Sequence, residues 1–273
     1  MTIRPAWSEA FDPARLQPVR ALPLPSRINA EWAWGGSSGA GVTVAIVDSG
    51  IESGHPRVGT VDGGFASLIY DPRSDSGIAI DTSPHDDLVG HGTACAAAVR
   101  TIAPECALMS VRVLTEKLTG RGEVFAAGLR YAIASGAQIV NCSLSSSRAD
   151  YKELFQDIAD EAYFAGVILV CAVNNVPNPS FPSTFASVIS VAAHDGNDPF
   201  AYDANPRPPV DFGAPGIDRE VAWRGGAVVK ATGNSFAAPH IAGHIARLLS
   251  KHPGLTPYEV KTVLRACAQN AAP

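Results

Sequence analysis

The sequence has too little charge and too few long apolar runs for several classes of protein. Charged residues make up 17% of its 273 residues and the formal net charge is −5, so nothing predicts the basic surface that nucleic acid requires. No apolar run approaches the roughly 18 residues that span a bilayer. The N-terminal stretch MTIRPAWSEAFDPARLQPVRALPLP lacks the apolar core of a secretory signal. We therefore expect neither nucleic acid nor a membrane as a partner.

Cysteine is also scarce. The five cysteines are odd in number and include no CxxC pair, so neither a zinc site nor a disulfide framework is predicted. Most lie inside apolar segments, which predicts buried free thiols in a reducing compartment. Together with the missing signal they favour the cytoplasm, although a chain trimmed of its signal would look the same. The cysteines are Cys95, Cys106, Cys142, Cys171 and Cys267.

Hydrophobic residues are abundant at 46%, and the chain contains 25 glycines and 21 prolines. This composition predicts a compact globular protein with many tight turns. Prolines at positions 5, 13, 18, 23 and 25 make the start of the chain irregular, and we predict a Pro-rich N-terminal arm over residues 1–26. Residues 27–273 contain no strong linker or internal repeat and are predicted to form one domain.

Apolar, β-branched runs alternate with helical patterns from residue 42 onwards. Continuous apolar runs are typical of strands buried on both faces, and their alternation with helices predicts a mostly parallel sheet with helices on both sides. The expected fold class is therefore α/β with three layers. The predicted strands are 42–47, 107–113, 138–144, 166–173 and 187–193, and the predicted helices are 26–34, 91–102, 123–135, 150–165, 235–251 and 256–268.

Polar residues come directly after three of these strands. Asp48 follows the first strand, residues 142–145 end the third, and Asn174 and Asn175 follow the fourth. Active sites in open α/β sheets gather at the carboxyl ends of the strands. We therefore expect these residues to converge at one edge of the sheet.

Asp48, His91 and Ser235 provide the side chains of a serine nucleophile and its activating pair. A serine hydroxyl needs a base to take its proton, and that base needs an orienting carboxylate. His91 begins a helix whose first turns hold small residues, which let another element approach the imidazole. Ser235 lies at a helix start, where unpaired N–H groups and the positive end of the dipole favour an oxyanion.

Each of these residues alone has an ordinary structural explanation. An aspartate after a strand commonly forms a turn, and a serine at a helix start commonly caps the helix. A histidine before a glycine commonly lies in a loop. The prediction therefore depends on the three residues together and on the sequence around them.

Three blocks, VAIVDSGIESGHP (44–56), HGTACAAAV (91–99) and GNSFAAPHIAG (233–243), resemble the signature blocks of the subtilisin-like serine proteases. The chain order Asp, His, Ser matches that family and differs from the chymotrypsin and α/β-hydrolase orders. The resemblance continues between the blocks and covers roughly residues 28–268. It implies a subtilisin-like fold and serine protease activity.

The resemblance also implies a role for each matched residue. Asp48 would orient the imidazole and stabilise its charged form, His91 would act as general base and then general acid, and Ser235 would attack the scissile carbonyl. Asn175 would donate its side-chain amide to the oxyanion. The backbone N–H of Ser235 would be the second oxyanion donor.

Three positions depart from the residues usual in the family. Asn174 replaces a glycine, which would reshape the wall of the pocket beside the scissile bond. Asn234 replaces a threonine, and its amide would either support the oxyanion from further away or cap the helix. Cys95 follows Ala94 where HGTH is common, as in the proteinase-K-like branch. We predict that Cys95 packs beneath His91 and that mercurials inhibit through it.

The family binds its peptide substrate as an added strand between two protein segments. On one of the matching segments, Arg121 would either prefer an acidic substrate residue or remain solvated. The two segments are Gly120, Arg121 and Gly122 on one side and Ser143, Leu144 and Ser145 on the other.

No metal or cofactor is predicted. His240 and His244 have the spacing of a zinc pair on a helix, but the glutamate of HExxH is absent, so packed or surface histidines are expected. Many subtilisins bind calcium through an aspartate just after His-Pro and through a loop inserted in the helix after the catalytic histidine. In this sequence Arg57 stands in place of the aspartate after His-Pro, and the inserted loop is missing. Because arginine cannot ligate calcium, we predict that this site is absent.

Three functions are compatible with these residues. We expect an intracellular serine endopeptidase acting on a peptide or protein substrate. The first alternative is a dedicated protease that removes leader peptides from biosynthetic precursors, and the second is a non-catalytic peptide-binding relative, against which the intact set of catalytic side chains argues. The N-terminal arm would either lie across the groove as an inhibitor or pack on the back of the domain. The sequence does not indicate an oligomeric state.

Overall fold

The computed structural model describes residues 24–25 and 27–271. The N-terminal arm predicted over residues 1–26 therefore lies outside the described residues, apart from Leu24 and Pro25. Leu24 is partly buried against the hydrophobic core.

One nine-stranded sheet lies at the centre of the molecule. Its strands are β1 (Thr43–Asp48), β2 (Gly64–Tyr70), β3 (Ile78–Asp81), β4 (Ala107–Arg112), β5 (Ile139–Cys142), β6 (Ile168–Ala172), β7 (Ile189–His194), β8 (Asp203–Ala204) and β9 (Phe212–Pro215). Their order across the sheet is β3-β2-β4-β1-β5-β6-β7-β9-β8. Neighbours from β2 to β9 run parallel, whereas β3 and β8 at the two edges run antiparallel. The mostly parallel sheet is confirmed.

Helices cover both faces of the sheet. One face is covered by α2 and α5 and the other by α3 and α4. In the part of the chain that the structure describes, no helix is long and apolar enough to cross a bilayer. The helices are α1 (Ala30–Trp34), α2 (His91–Ile102), α3 (Gly122–Ala134), α4 (Lys152–Phe164), α5 (Asn234–Lys251) and α6 (Pro257–Cys267).

The packing of β1 explains why its sequence is a continuous apolar run. Val44 and Ile46 pack with residues of α2 and α5, whereas Ala45 and Val47 pack with residues of α3 and α4. All four side chains are fully buried. Because successive strand residues point to opposite faces, a strand covered on both sides needs an apolar residue at every position. The three-layer α/β prediction is confirmed.

Several strands have no continuous apolar run that would predict them. The edge strand β3 is half-exposed or exposed along its length. A separate antiparallel hairpin joins β10 (Arg219–Trp223) to β11 (Ala227–Ala231), and no residue of β11 is fully buried. Strands with one solvated face gain their stability from pairing and from partial burial. Their sequences therefore contain only a weak hydrophobic pattern from which a strand could be predicted.

The two helices that carry His91 and Ser235 lie against each other on the same face of the sheet. Gly243 of α5 permits their close approach, because a Cβ at this position would lie 2.6 Å from the Cβ of Ile102 in α2. Close packing of α2 and α5 brings the N-terminal ends of both helices to one edge of the sheet, where His91 and Ser235 line the same cleft.

Two histidines of α5 pack within the protein, His244 buried and His240 partly buried. The ring of His244 lies 5.2 Å from the Trp34 ring and 5.0 Å from the Tyr202 ring, centroid to centroid. The Nδ1 atom of His240 lies 3.1 Å from the carbonyl oxygen of Pro199. Burial disfavours the charged imidazolium and lowers the pKa of His240 to about 4 and the pKa of His244 to about 3. Of the two alternatives for this pair, packed histidines are what the structure shows.

We expect the buried His244 to make the fold sensitive to acid. An imidazole in the unfolded chain binds a proton below about pH 6.5, whereas the pKa of folded His244 is about 3. Stability is therefore fully present above pH 7 and falls as the pH drops below about 6.5. Wild-type protein should lose unfolding free energy between roughly pH 7.5 and pH 4.5, and His244→Leu should make this loss smaller by about 3 kcal/mol. Urea denaturation at both pH values measures this, and an unchanged pH dependence in the variant would contradict it.

Candidate active site

Asp48 ends β1 at the carboxyl edge of the sheet, and its side chain is fully buried. Its Oδ1 accepts a hydrogen bond from the backbone N–H of Ser49 at 2.8 Å. The Nδ1 atom of His91 lies 2.8 Å from Oδ1 and 2.9 Å from Oδ2. A carboxylate at this position holds the proton on Nδ1 and leaves Nε2, across the ring, free to act as a base.

His91 is the first residue of α2, and a glycine on each side of it makes this position possible. Gly90 has a φ of 121°, a conformation that favours glycine. A Cβ on Gly92 would collide with the carbonyl oxygen of Gly50 and would lie 3.1 Å from the Cβ of Asp48. The small residues around His91 therefore allow α2 to contact the end of β1 directly.

Asp87 is a second buried carboxylate at this edge. Its Oδ1 accepts hydrogen bonds from the Ser49 hydroxyl and the Gly90 N–H, both at 2.8 Å. Its Oδ2 accepts from the N–H and the hydroxyl of Thr93 at 2.8 and 2.7 Å. Asp87 thus satisfies N–H groups of the first turn of α2 and ties that turn to the residue after β1. Sequence reasoning missed it, although an acid four residues before a predicted helix start is a recognisable capping signal.

Two carboxylates influence the charge of His91. Burial of the imidazole opposes protonation, but the charge and hydrogen bond of Asp48, followed by the charge of Asp87, outweigh burial and raise the pKa of His91 above its usual value. An imidazole with a raised pKa holds a transferred proton more firmly. The arrangement therefore suits a general base that must become charged during a reaction.

Ser235 is the second residue of α5 and is largely buried. Its carbonyl oxygen accepts a hydrogen bond from the Ser143 hydroxyl at 2.8 Å. Since the first N–H groups of a helix have no intrahelical partner, the N–H of Ser235 is available to a group in the cleft. Within the described ranges, no hydrogen bond joins the Ser235 hydroxyl to His91. Such contacts are often long until substrate binds.

Asn175 lies beyond the end of β6, next to the start of α5. Its Oδ1 accepts a hydrogen bond from the backbone N–H of Asn234 at 2.9 Å, and the residue lines the same cleft as Ser235. A carboxamide whose oxygen is held at the helix start presents its NH2 group on the opposite side. The structure therefore places a side-chain donor and the N–H of Ser235 at one cleft.

The polar atoms of the Asn234 side chain all bond main-chain groups of the protein. Its Nδ2 donates to the carbonyl oxygens of Val173 and Asn174, both at 3.1 Å, and its Oδ1 accepts from the N–H of Ala193 at 2.8 Å. Both amide hydrogens are used within the protein, so no donor remains for an oxyanion, and the acceptor binds a strand instead of capping α5. The side chain can therefore neither donate directly to an oxyanion nor cap α5, because its amide serves two carbonyls at once, which a single hydroxyl proton could not do.

A cleft of about 260 Å³ brings most of the predicted site residues together. It opens between the ends of β5 and β6 and the starts of α2 and α5, with Asp48 buried behind the His91 ring. Its lining consists of His91, Leu114, Leu118, Ser143, Leu144, Ser145, Ala172, Val173, Asn174, Asn175 and Ser235.

A second cavity of about 470 Å³ lies between residues 118–123 and residues 144–146 and shares lining residues with the cleft. The two segments predicted to bind substrate therefore face each other across it. The Ser143 hydroxyl already donates to a carbonyl oxygen, so only the backbone of Ser143 is free to contact a peptide. The guanidinium of Arg121 lies 3.9 Å from the centre of the Tyr70 ring, which holds the arginine at the rim.

The thiol of Cys95 lies beneath the pair formed by His91 and Asp48. Its Sγ is 3.9 Å from Oδ2 of Asp48 and 3.6 Å from the carbonyl oxygen of Ser235. Complete burial raises the pKa of Cys95 well above its usual value, so the thiol stays protonated.

Among the residues that the structure describes, the one group of three possible metal ligands within 4.8 Å is Asp48, His91 and Cys95. That the calcium site is absent stays a prediction.

We expect a mercurial to inhibit through Cys95. A mercury atom on its Sγ would need space that the His91 ring and the Asp48 carboxylate occupy, and a displacement of about 1 Å in a catalytic group can cost roughly 100-fold in rate. Peptidase activity should therefore fall about 100-fold in the wild type but not in Cys95→Ser. Cys106→Ser, which removes another buried thiol, is the matched control and should stay sensitive. Equal sensitivity of Cys95→Ser and wild type would contradict the assignment.

Comparison with known proteins agrees with this geometry. The chain matches the subtilase family over residues 39–273. It is 30% identical over 239 residues to thermitase of Thermoactinomyces vulgaris, an alignment that covers 83% of this chain and 81% of the relative. It is 28% identical over 248 residues to Subtilisin E of Bacillus subtilis (strain 168), where 85% of this chain spans only 62% of the relative. The crystal structure of a cold adapted subtilisin-like serine proteinase superposes with a TM-score of 0.68 at 25% identity and covers 92% of this chain and 91% of that one. The chain therefore belongs to the subtilase family, the subtilisin-like serine proteases.

Proposed function

We propose that the chain is a serine endopeptidase with Asp48, His91 and Ser235 as its catalytic residues. The observation that carries the proposal is the pairing of His91 Nδ1 with both oxygens of Asp48, at 2.8 and 2.9 Å, in a cleft that Ser235 also lines. Membership of the subtilase family supports a peptide or protein as the substrate.

Acylation begins when the Ser235 hydroxyl attacks the scissile carbonyl carbon and Nε2 of His91 takes its proton. The Asp48 carboxylate stabilises the resulting imidazolium. Because Asp48 is fully buried, its charge is poorly screened by water and acts strongly on the ring. His91 then gives the proton to the leaving amine, and the substrate's acyl group remains as an ester on Ser235.

The oxyanion of each tetrahedral intermediate is held by the Nδ2 of Asn175 and the backbone N–H of Ser235. The positive end of the α5 dipole adds to this stabilisation. After the amine leaves, a water molecule gives its proton to His91 and attacks the ester. His91 returns the proton to the Ser235 oxygen, which releases the acid product and restores the free enzyme.

The substrate backbone would lie as an extended strand between residues 120–122 and 143–145, with main-chain hydrogen bonds on both sides. The lining of the cavity beside this path includes the apolar or aromatic side chains of Phe125, Leu144 and Tyr151 together with the charged side chains of Arg121, Glu123 and Arg148. An apolar substrate side chain would contact the aromatic part of this lining, and Arg121 at the rim would accept an acidic neighbour.

Covalent labelling with a fluorophosphonate probe tests the proposed function. We expect one probe per molecule, attached to Ser235 and located by mass spectrometry of the digested protein. Labelling should disappear in Ser235→Ala and in protein unfolded before the probe is added. If the folded wild type does not react, the proposed activity is wrong, and a non-catalytic peptide-binding relative takes its place.

Selective processing of precursor peptides is a second candidate function, and the position of Asn174 favours it. The Oδ1 of Asn174 accepts from the N–H of Val176 at 3.2 Å, so the side chain is fixed on the wall of the cleft and restricts what enters. A cleavage screen on a peptide library separates a broad hydrolase from a selective one. The five free cysteines support action in a reducing compartment such as the cytoplasm.

A further inference from the structure

Asn234 connects three separate parts of the chain at the edge of the proposed oxyanion site. Its side chain donates to the carbonyl oxygens of Val173 and Asn174 after β6 and accepts from the N–H of Ala193 in β7. Its backbone N–H donates to Oδ1 of Asn175. One residue at the start of α5 therefore fixes both the main chain that carries Asn175 and the carboxamide of Asn175 itself.

The segment that carries Asn175 has little else to hold it. Residues 175–179 are exposed, whereas β6 just before them is buried. The Val173 N–H donates to the carbonyl oxygen of Val191 at 3.0 Å, which anchors the segment only up to that residue. Between this point and Asn175, the carbonyl groups of Val173 and Asn174 are held by the Asn234 amide.

The orientation of the Asn175 carboxamide is set by the backbone N–H of position 234, which any residue except proline supplies. A side-chain amide can rotate so that either its oxygen or its nitrogen faces the cleft, and only the nitrogen donates to an oxyanion. The Asn234 N–H, 2.9 Å from Oδ1, requires an acceptor and therefore selects the useful orientation. A hydroxyl-bearing residue at position 234 could not hold both carbonyl groups.

We propose that Asn234 is a positioning residue that acts through Asn175 to set the oxyanion donor in place. This inference rests on the proposed function. Asn234 does not contact the oxyanion, because both of its amide hydrogens are directed to main-chain carbonyls. Its contribution should therefore appear in kcat and vanish when Asn175 can no longer donate.

A double-mutant cycle tests this dependence. Asn175→Ala removes the donor and should lower kcat by about 100- to 1,000-fold. Asn234→Ala misplaces that donor and should lower kcat by roughly 10- to 100-fold. The KM should change less than about twofold in both variants. In Asn175→Ala/Asn234→Ala, the second substitution should cost less than about threefold further. Asn234→Asp, which keeps the acceptor for Ala193 but loses both donors, should behave like Asn234→Ala.

Asn270→Ala is the matched control, because the Asn270 carboxamide also accepts from and donates to the main chain, at Ala204, away from the cleft. It should leave kcat unchanged. If the losses from Asn175→Ala and Asn234→Ala multiply, Asn234 acts independently and the inference is wrong. The inference is equally wrong if Asn175→Ala is fully active. Activity retained by Ser235→Ala would instead overturn the proposed function and this inference with it.

Discussion

Replacing Ser235 with alanine is expected to reduce kcat by about 10⁶-fold. The substitution removes the only atom that forms a bond to the substrate, while the Asn175 amide and the Ser235 backbone N–H remain to bind the carbonyl oxygen. Residual activity above the uncatalysed rate would come from these donors and from substrate binding. KM should change little, because the hydroxyl contributes mainly to the transition state.

The companion variants show whether Ser235 and His91 act as one unit. The kcat of His91→Ala should fall about as far as that of Ser235→Ala. The kcat of the double variant should fall no further than that of either single variant, because a general base has no effect when the nucleophile is absent. Rates are measured on a chromogenic peptide with active-site titration of each preparation. Ser250→Ala removes another serine of the same helix, whose hydroxyl donates to Ala40, and should be fully active. Losses that multiply in the double variant would mean that the two residues serve separate steps.

The central strands β1, β4, β5, β6 and β7 were predictable from the sequence because they are buried on both faces. Each predicted strand overlaps an observed one, and the predicted helix 91–102 matches α2. The strands β2, β3, β8 and β9 of the sheet and the hairpin of β10 and β11 have no predicted counterpart. Edge and partly exposed strands such as β3 need no continuous apolar run. Their existence depends on pairing partners that the local sequence does not specify.

The proposed catalytic residues could be named from the sequence, but their contacts could not. Asp48 and His91 are 43 positions apart in the sequence, and only the register of the sheet and the packing of α2 bring them within 2.8 Å. The small residues after His91 indicated a close approach without identifying the partner. The resemblance to subtilisin-like proteases supplied the pairing, and the family match agrees with it.

Asp87 and Asn234 show where sequence reasoning stops. Asp87 accepts from N–H groups of the turn that follows it and from the hydroxyls of Ser49 and Thr93, whereas Asn234 bonds main-chain groups on distant segments. Every residue type carries nearly the same main-chain groups, so the sequence does not reveal which of them a side chain will bond. It shows only an acid before a helix and an asparagine in place of a threonine. The consequence of these residues for the site emerges only from coordinates.

Replacing Asp48 with asparagine should lower kcat by about 10⁴-fold. The Ser49 N–H requires an acceptor at the position of Oδ1, so the new NH2 group would take the place of Oδ2, 2.9 Å from Nδ1 of His91. There it would donate to Nδ1 and favour the tautomer whose proton sits on Nε2, which cannot accept the Ser235 proton. The loss of the negative charge would also leave the imidazolium unstabilised.

The pH dependence distinguishes this mechanism from simple disruption of the fold. The charge of Asp48 contributes to the raised pKa of His91, so its removal should lower that pKa and move the acidic limb of the kcat/KM profile of Asp48→Asn to lower pH. Asp62→Asn is the matched control, since Asp62 accepts from the Leu108 N–H away from the cleft, and its profile should coincide with that of the wild type. Circular dichroism and the melting temperature establish that each variant is folded. A folded Asp48→Asn protein within tenfold of wild-type kcat would show that His91 needs no carboxylate partner, and the proposed proton transfer would then be wrong.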